Sequence, residues 1–486
     1  MSTADSGINF EEFVPIHDQV DLGNLWGLID DEVGRYISRT PKSAALYQEA
    51  KQSMVNGLPN AMWTQWRLED PRTQDFLLPH FWYWERGKNQ RAWDVDGNEY
   101  IDYMYADTPT IWGHAPDDEF TRGVSEFIRS QSLCSMIPND ESVVVTQLLQ
   151  KLIDLKYWYI TLSASDSNRN AINIARTVTG RKKVLSPQLG YMGGADEGMY
   201  WQPDPNSPPI PRWGYYVAAN DDPAVKIAQF NDLESVERAL KDRDVAIFIT
   251  EPLMTDGGFV VAQPGYLEGV QELCKKYGTL LLIDETHTLT HAPRGMYTEL
   301  GLKADMWVSG KAIAGGVACG VLGLSEEVGD AYQAKIGDLS VPFGIACFVG
   351  QGTTLSANPL SIRALRLALE NYYTDETYEK LMGSMDHLCE GMQGVFDRRG
   401  APFSLTRNGA RVHINFMPEI SHDIMHAVKS VGLGGYHEYL VLFALNRGFI
   451  IMPWENMLLT SPFNTKEDND SFVEMFDQCI ANMMGA

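Results

Sequence analysis

The 486-residue sequence predicts an α/β protein, in which a large domain on a mostly parallel sheet is joined to a smaller α+β domain. Between about residues 110 and 325, short and uniformly apolar segments alternate with helical patterns. Strands of this kind are buried on both faces, which is typical of a parallel sheet covered by helices. We expect residues 105–360 to form the large domain, and residues 1–104 and 361–486 to form the small one.

The charge balance is strongly acidic, with 39 Lys and Arg residues against 64 Asp and Glu residues and a net charge of −25. This balance argues against a broad nucleic-acid-binding surface or binding to an anionic membrane, because both need clustered cations. Six dispersed cysteines without a CxxC pair favour buried free thiols, and the N-terminus lacks the apolar core of a secretory signal. We therefore expect a cytoplasmic protein that binds neither nucleic acid nor membrane.

Two elements are predicted before the large domain. A helical pattern covers residues 41–56 and is broken by Gly57-Leu58-Pro59-Asn60. Between residues 82 and 101, apolar residues alternate with polar ones around Asp96-Gly97-Asn98. This alternation predicts a β-hairpin with a glycine-containing turn.

The predicted strands of the large domain end in residues that can carry chemistry. Strands are predicted over residues 157–162, 245–250, 280–283 and 306–309, and helices over 168–179 and 267–277. In a parallel sheet the ligand lies off the carboxyl ends of the strands. Those ends carry Ser163, Glu251, Asp284 and Lys311.

Asp284 and Lys311 suggest a specific chemistry. Asp284 ends a wholly apolar strand, where an unpaired carboxylate would be costly, so a cationic partner is expected. Lys311 follows Ser309-Gly310 among small residues, and a desolvated lysine can form a Schiff base with an aldehyde. Enzymes that use pyridoxal 5'-phosphate (PLP) need one such lysine and one carboxylate for the pyridine nitrogen. A purely structural buried ion pair is the alternative.

A phosphate group would need a set of hydrogen-bond donors. Residues 162–167, Leu-Ser-Ala-Ser-Asp-Ser, join a strand to a helix, and the N-terminus of that helix would add free N–H groups and its dipole. The alternative is that Ser165 or Ser167 only caps the helix. A second small, hydroxylated stretch runs from Gly352 to Pro359.

Other motifs are absent or weak. The sequence has no GxGxxG after a strand, no GxxxxGK[ST] loop and no GxSxG elbow. His287 and His291 are four residues apart, but the segment lacks the Glu of HExxH. A turn or pocket lining is favoured over a metal site for these two histidines.

At this point the sequence resembles the class III aminotransferase family of PLP fold type I, within it the glutamate-1-semialdehyde aminomutase-like branch. Each fragment is weak alone, but the fragments follow in family order from about residue 40 to 470: the hairpin at residues 93–102, Trp112-Gly113-His114-Ala115-Pro116, Glu251-Pro252, Asp284-Glu285, Ser309-Gly310-Lys311 and residues 354–359.

The resemblance implies a role for each matching residue. Lys311 becomes the Schiff-base lysine and proton shuttle, and Asp284 becomes the partner of the pyridine nitrogen. Thr286 and Tyr191 fall where the family covers the two ring faces. The other cofactor-binding positions implied are Ser163, Ala164, Ser165, Glu251 and Thr354. Thr354 matches a residue that reaches the phosphate from the neighbouring subunit, which implies a homodimer with active sites at the interface. The alternative is that Thr354 caps a helix within its own subunit.

Several positions depart from the family pattern. The usual S-G-T-E of the family is replaced by Ser163-Ala164-Ser165-Asp166, and the usual Y-H-G by Tyr191-Met192-Gly193. Leu289-Thr290-His291 stands where the family has G-F-R. Residues 453–457 do not match the aminomutase pattern. The groups expected to bind the cofactor are retained, whereas neighbouring pocket positions differ from the family. We therefore expect that the protein uses PLP, but the changed positions do not predict any particular substrate of the family.

The resemblance implies an aminotransferase that moves an amino group between a primary amine or amino acid and a 2-oxo acid. The alternative is an ammonia-lyase, aminomutase or epimerase of the same family. A non-catalytic PLP-binding protein is disfavoured, because both Asp284 and Lys311 are kept. A carboxylate on the small-molecule substrate would need a cationic anchor, for which Arg67, Arg169, Arg294 and Arg411 are candidates by context.

Overall fold

The computed structural model describes residues 22–60, 67–70, 72–73, 75–202, 207–212, 223–256, 258–337, 351–424, 427, 435–453 and 456–485. These residues form two compact units. The first contains the described residues of Asp117–Asp375 and of Ser421–Ala427, and the second contains those of Asn9–Pro116, Glu376–Ile420 and Val428–Ala486. The domain limits expected from the sequence stay a prediction.

A seven-stranded sheet forms the centre of the first unit. Its strands are β1 (Tyr157–Thr161), β2 (Lys183–Pro187), β3 (Val225–Ala228), β4 (Val245–Thr250), β5 (Leu280–Asp284), β6 (Met306–Ser309) and β7 (Gly320–Leu324), in the order β3-β2-β4-β5-β6-β7-β1. The pairs β3–β2, β2–β4, β4–β5 and β5–β6 are parallel. Strand β7 pairs antiparallel with both β6 and β1. The predicted mostly parallel sheet is confirmed.

Helices surround this sheet because its strands are apolar on both faces. They are α1 (Glu119–Ser130), α2 (Glu141–Leu152), α3 (Ala164–Thr179), α4 (Leu233–Leu240), α5 (Tyr266–Tyr277), α6 (Gly295–Glu299), α7 (Glu326–Gly337) and α8 (Pro359–Asn371). A small hairpin of Tyr200–Trp201 and Ile210–Pro211 also belongs to this unit. Ala171, Ile172 and Ala175 of α3 pack into one hydrophobic core with the sheet.

Four predicted limits in this unit are wrong, two of them by one residue at the start of α5 (Tyr266) and at the end of β5 (Asp284). The helix predicted from residue 168 begins at Ala164, because Ser163 is its N-cap and its hydroxyl accepts the Asp166 N–H. The cap is therefore Ser163 and neither Ser165 nor Ser167. Strand β1 ends at Thr161, one residue before the predicted end.

The second unit is built from helices Leu22–Arg39, Pro41–Ala50, Asp375–Arg399, Tyr436–Asn446 and Lys466–Gly485 with three small sheets. Strands Trp84–Lys88, Arg91–Asp94, Glu99–Asp102 and Phe449–Ile450 form one sheet, and Ser404–Asn408, Arg411–Asn415 and Met457–Leu459 form another. Glu69–Asp70 pairs with Asp75–Phe76. The predicted hairpin is confirmed, since Trp93 pairs with Glu99 across the turn. The helix predicted over residues 41–56 ends earlier, at Ala50.

The burial of most described cysteines agrees with the expected buried free thiols. Cys274, Cys319 and Cys479 are buried and Cys389 is half-buried, but Cys134 is exposed, which corrects the expectation at that position. Cys347 lies outside the described residues. None of the helices in the described part of the chain combines the length and apolar character needed to cross a bilayer.

Candidate active site

Parallel pairing brings the polar strand ends to one edge of the sheet. Asp284 at the end of β5 pairs with Val308 of β6, and Thr250 of β4 pairs with Ile283. Glu251, Asp284 and Lys311 therefore emerge at the same edge, as the sequence predicts. Thr161 of β1 pairs with Gly320, which places the Ser163 loop at this edge too.

The Ser163 loop is the first turn of α3. In a helix the first N–H groups have no partner within the helix, and the aligned peptide dipoles favour an anion there. The Ser163 hydroxyl accepts one of these groups, from Asp166 at 3.2 Å, and its hydrogen is free to be donated elsewhere. The first turn of α3 thus provides the anion-binding geometry that a phosphate needs.

Three glycines pack against this loop where a side chain would collide with it. A Cβ at Gly193 would lie 2.0 Å from the Ser165 hydroxyl oxygen, and one at Gly320 would lie 2.3 Å from the Ser163 carbonyl carbon. A Cβ at Gly310 would lie 3.0 Å from Ala164. The loop is therefore enclosed by backbone, and the Gly194 N–H also donates to the Ser165 hydroxyl at 3.0 Å.

Asp284 is buried but has neutral partners. Its Oδ1 accepts from the Thr286 N–H at 2.9 Å and the Thr286 hydroxyl at 2.6 Å, and its Oδ2 accepts from the Asn168 amide at 2.8 Å. The described residues thus give the carboxylate neutral donors from α3 and the following turn. The expected cationic partner stays a prediction. A carboxylate has about four acceptor positions, so room remains for one more donor.

Asn168 was missed by the sequence analysis. It lies on the buried face of α3, one turn before Ala171 and Ile172, and also donates to the Met192 carbonyl at 3.3 Å. Its Oδ1 is buried and has no hydrogen-bond partner in the described structure. A polar residue that interrupts the apolar face of an amphipathic helix was the available signal.

We expect Asn168→Ala to weaken PLP binding about 10- to 100-fold, because a hydrogen bond to a charged group contributes about 1.5–3 kcal/mol. The lost amide would free Asp284 to turn away from the pyridine nitrogen. Titration of the apoprotein with PLP measures the change. Asn170→Ala, a buried position two residues along the same helix, is the matched control. Equal affinities for Asn168→Ala and wild type would contradict the role.

Lys311 begins a short 3₁₀ turn with φ of +47°, in the left-handed region that non-glycine residues rarely occupy. Such backbone strain persists only where the surrounding structure holds it, and it is frequent at functional sites. The Lys311 Nζ lies 2.5 Å from Nε2 of His287. This contact places the amine beside His287, which follows Asp284 by three residues.

His287 connects Lys311 to the end of β4. Its Nδ1 lies 3.0 Å from Oε2 of Glu251 and 2.6 Å from the Thr255 hydroxyl oxygen. Thr255 in turn donates to the same Glu251 oxygen. The sequence pattern favours a turn or pocket lining at His287 and gives no signal for Thr255. The ring of Tyr191 lies against His287, with centroids 6.0 Å apart and planes tilted by 35°.

Glu285, next to Asp284, has a structural role. Its carboxylate accepts from the Met296 and Tyr297 N–H groups at the start of α6 and from the Trp307 indole at 2.9 Å. Burial raises the pKa of Glu285 to about 7, and these donors oppose the rise. The residue holds α6 and β6 in place beside the strand end.

Thr354 lies apart from the other predicted site residues. It is exposed, and its carbonyl oxygen is 3.9 Å from Sγ of Cys134. Among the described residues, Thr354 makes no contact with the Ser163 loop. Its predicted role in a partner's site therefore stays a prediction.

The four candidate anchors have other partners. Arg411 is buried against Asp107, and Arg67 donates to the Leu78 carbonyl. Arg169 is exposed beside Asp166, and Arg294 donates to the Leu152 carbonyl. Trp454 and Glu455, part of the C-terminal departure from the family pattern, lie outside the described residues.

The arrangement fits PLP, because an anion-binding helix end, a buried carboxylate with a remaining acceptor position and a lysine amine meet at one edge. The first turn of α3 would hold the phosphate, Asp284 the pyridine nitrogen and Lys311 the aldehyde. The enclosing glycines leave backbone rather than side chains around the phosphate position.

Comparisons with known proteins agree with this arrangement. A solved glutamate-1-semialdehyde aminomutase from Pseudomonas aeruginosa PAO1 superposes with a TM-score of 0.88 at 29% identity, covering 96% of this chain and 100% of that chain. A lysine-to-alanine variant of a glutamate-1-semialdehyde aminomutase from the same organism has been solved in complex with PMP. A relative from Brevibacillus brevis, named glutamate-1-semialdehyde 2,1-aminomutase 2, is 30% identical over 420 residues, 82% of this chain and 90% of the relative. One from Bacillus subtilis is 28% identical over 461 residues, 91% of this chain and 98% of the relative.

The family described as Aminotransferase class-III matches residues 77–480 of this chain. That span includes every residue predicted to bind the cofactor. It also confirms the family and the PLP fold type I architecture that the ordered motifs predict. The chain therefore belongs to the class III aminotransferase family, whose enzymes use pyridoxal 5'-phosphate.

Proposed function

We propose that this protein is a PLP-dependent aminomutase, which moves an amino group between two carbons of one small-molecule substrate. The observation that carries the proposal is the near full-length similarity to relatives named glutamate-1-semialdehyde 2,1-aminomutase, two of which are aligned over 98% of their length. This function is the alternative in the sequence analysis, and the comparisons favour it over a plain aminotransferase. A cytoplasmic location remains a prediction from composition.

When bound, PLP supplies an aldehyde that captures amines and a ring that accepts electrons. Lys311 would hold the cofactor and carry a proton to and from the substrate carbon. Asp284, held by Asn168 and Thr286, would keep the proton on the pyridine nitrogen. The first turn of α3 would bind the phosphate, and Tyr191 and Thr286 would flank the ring.

An aminotransferase that uses a separate 2-oxo acid is the second candidate. The observation that favours it is the sequence of residues 453–457, which does not match the aminomutase pattern. In this reading the substrate is a different primary amine or amino acid.

Single-substrate assays separate these functions. Purified PLP enzyme is mixed with glutamate-1-semialdehyde, and separately with a panel of amines, with every oxo acid omitted. An aminomutase gives many turnovers to an isomer of the substrate. Stoichiometric conversion of the cofactor to its amino form, with turnover only after an oxo acid is added, overturns the aminomutase in favour of an aminotransferase. Multiple turnovers that release ammonia indicate a lyase.

We also propose that the protein is a homodimer that shares its active sites. Thr354 lies beside a segment with exposed apolar side chains, and such a patch is typical of an interface. The exposed fractions are 82% for Met136, 77% for Ile137 and 52% for Leu355. A second copy of the chain would cover this patch and bring Thr354 to the partner's phosphate.

Mixing Lys311→Ala with Thr354→Ala subunits tests shared sites. If Thr354 acts in the partner's site, each mixed dimer has one doubly altered site and one intact site. We expect part of the wild-type activity to return in the mixture, although each parent variant is impaired. An absence of recovery, despite subunit exchange shown by mass spectrometry of tagged chains, would rule out donation between subunits.

A further inference from the structure

The Lys311 amine is hydrogen-bonded to an imidazole. Its Nζ lies 2.5 Å from Nε2 of His287, within hydrogen-bond distance. His287 is 4% exposed, and the contact joins residues 24 positions apart, so it arises from the pairing of β5 with β6. The amine that is central to the proposed function therefore has a titratable neighbour.

The partners of His287 determine its tautomer, and therefore whether Nε2 can accept a hydrogen bond from Lys311. Thr255 donates its hydroxyl hydrogen to Oε2 of Glu251. Both the Thr255 oxygen, at 2.6 Å, and Glu251 Oε2, at 3.0 Å, then face His287 Nδ1 as acceptors. Nδ1 must therefore carry the hydrogen of the neutral imidazole, which leaves a lone pair on Nε2 for Lys311.

We propose that His287 is the proton acceptor for Lys311, and that Glu251 and Thr255 hold its imidazole in the accepting tautomer. The inference rests on the proposed function, in which Lys311 reacts as a neutral amine. The Lys311 ammonium gives one proton to Nε2 of His287, which leaves an amine with a free electron pair. The reverse transfer returns the proton.

The buried carboxylate makes this transfer feasible. Before the transfer the cation is the Lys311 ammonium, and afterwards it is the imidazolium, whose Nδ1–H points at Glu251. The positive charge moves closer to the carboxylate, and no new charge is created in the interior, where separated charges are costly. Burial raises the pKa of Glu251, and its hydrogen bond with His287 opposes that rise.

Two substitutions separate proton transfer from simple positioning. In His287→Gln the amide can still accept from Lys311 and donate to Glu251, but it cannot carry a proton at neutral pH. In His287→Ala the imidazole is removed, and free imidazole can enter the space it leaves. His413→Gln is the matched control, since His413 is also buried and hydrogen-bonded, at 3.0 Å from Oδ1 of Asn415.

The experiment measures how fast each apoprotein captures PLP, from the visible absorbance of the bound cofactor, followed by borohydride reduction and peptide mapping of Lys311. We expect His287→Gln and His287→Ala to be slowed about 100-fold, as for the loss of a general base. Added imidazole should accelerate His287→Ala but not wild type or His287→Gln. His413→Gln should match wild type.

A wild-type capture rate in His287→Gln would overturn the inference, because the hydrogen bond alone would then suffice. A failure of imidazole to accelerate folded His287→Ala would also overturn it. If wild-type apoprotein does not capture PLP on Lys311, the proposed function fails as well. If wild type captures PLP normally and His287→Gln does too, only the inference fails.

Discussion

Lys311→Ala is expected to abolish turnover, with a loss of about 10⁴-fold or more, because the substitution removes both the cofactor-holding amine and the proton carrier. PLP can still bind through the first turn of α3 and Asp284. Steady-state assays measure the loss. Borohydride reduction followed by peptide mapping should place the cofactor on Lys311 in wild type and on no lysine in the variant.

The matched control for this prediction is Lys183→Ala. Lys183 begins β2 at the opposite edge of the same sheet and pairs with Asp244 at 3.3 Å. We expect this variant to keep wild-type turnover and cofactor attachment. A reduced adduct on any lysine other than Lys311 would refute the assignment.

Asp284→Asn should lower turnover about 100- to 1,000-fold, the size typical of a lost preorganised electrostatic contact. An amide cannot keep the pyridine nitrogen protonated, so the ring accepts electrons poorly. Folding should change little, because the amide oxygen still accepts from Thr286 and Asn168 can turn its Oδ1 toward the new N–H. Kinetic assays together with thermal unfolding separate the two effects.

Asp305→Asn is the control for a buried carboxylate on the same pair of strands. Asp305 precedes β6 at the opposite edge, accepts the Leu281 N–H at 2.8 Å, and has its pKa raised by burial. Its substitution should leave the absorbance of the bound cofactor unchanged. Near-normal turnover in Asp284→Asn would argue against its role at the pyridine nitrogen.

Local patterns in the sequence were sufficient to predict the edge at which the site lies. Uniformly apolar strands require a sheet covered on both faces, and parallel strands bring their carboxyl ends together. Glu251, Asp284 and Lys311 could therefore be placed at one edge without coordinates. The order of the family fragments then predicted the family and its cofactor, both of which the comparisons support.

The partners of these residues were decided by the tertiary structure. Asn168 and Asp284 are 116 positions apart, and His287 and Glu251 are 36 apart, so each contact depends on how α3, β4 and β5 pack. The sequence predicted a cationic partner for Asp284 because burial of a carboxylate is costly. In the structure, neutral donors from α3 and the following turn offset part of that cost and leave one acceptor position, where the protonated pyridine nitrogen of the proposed cofactor would bind. The apolar strand pattern predicted which strand ends meet at the site, and packing brought in Asn168 and Thr255, which no sequence pattern had indicated.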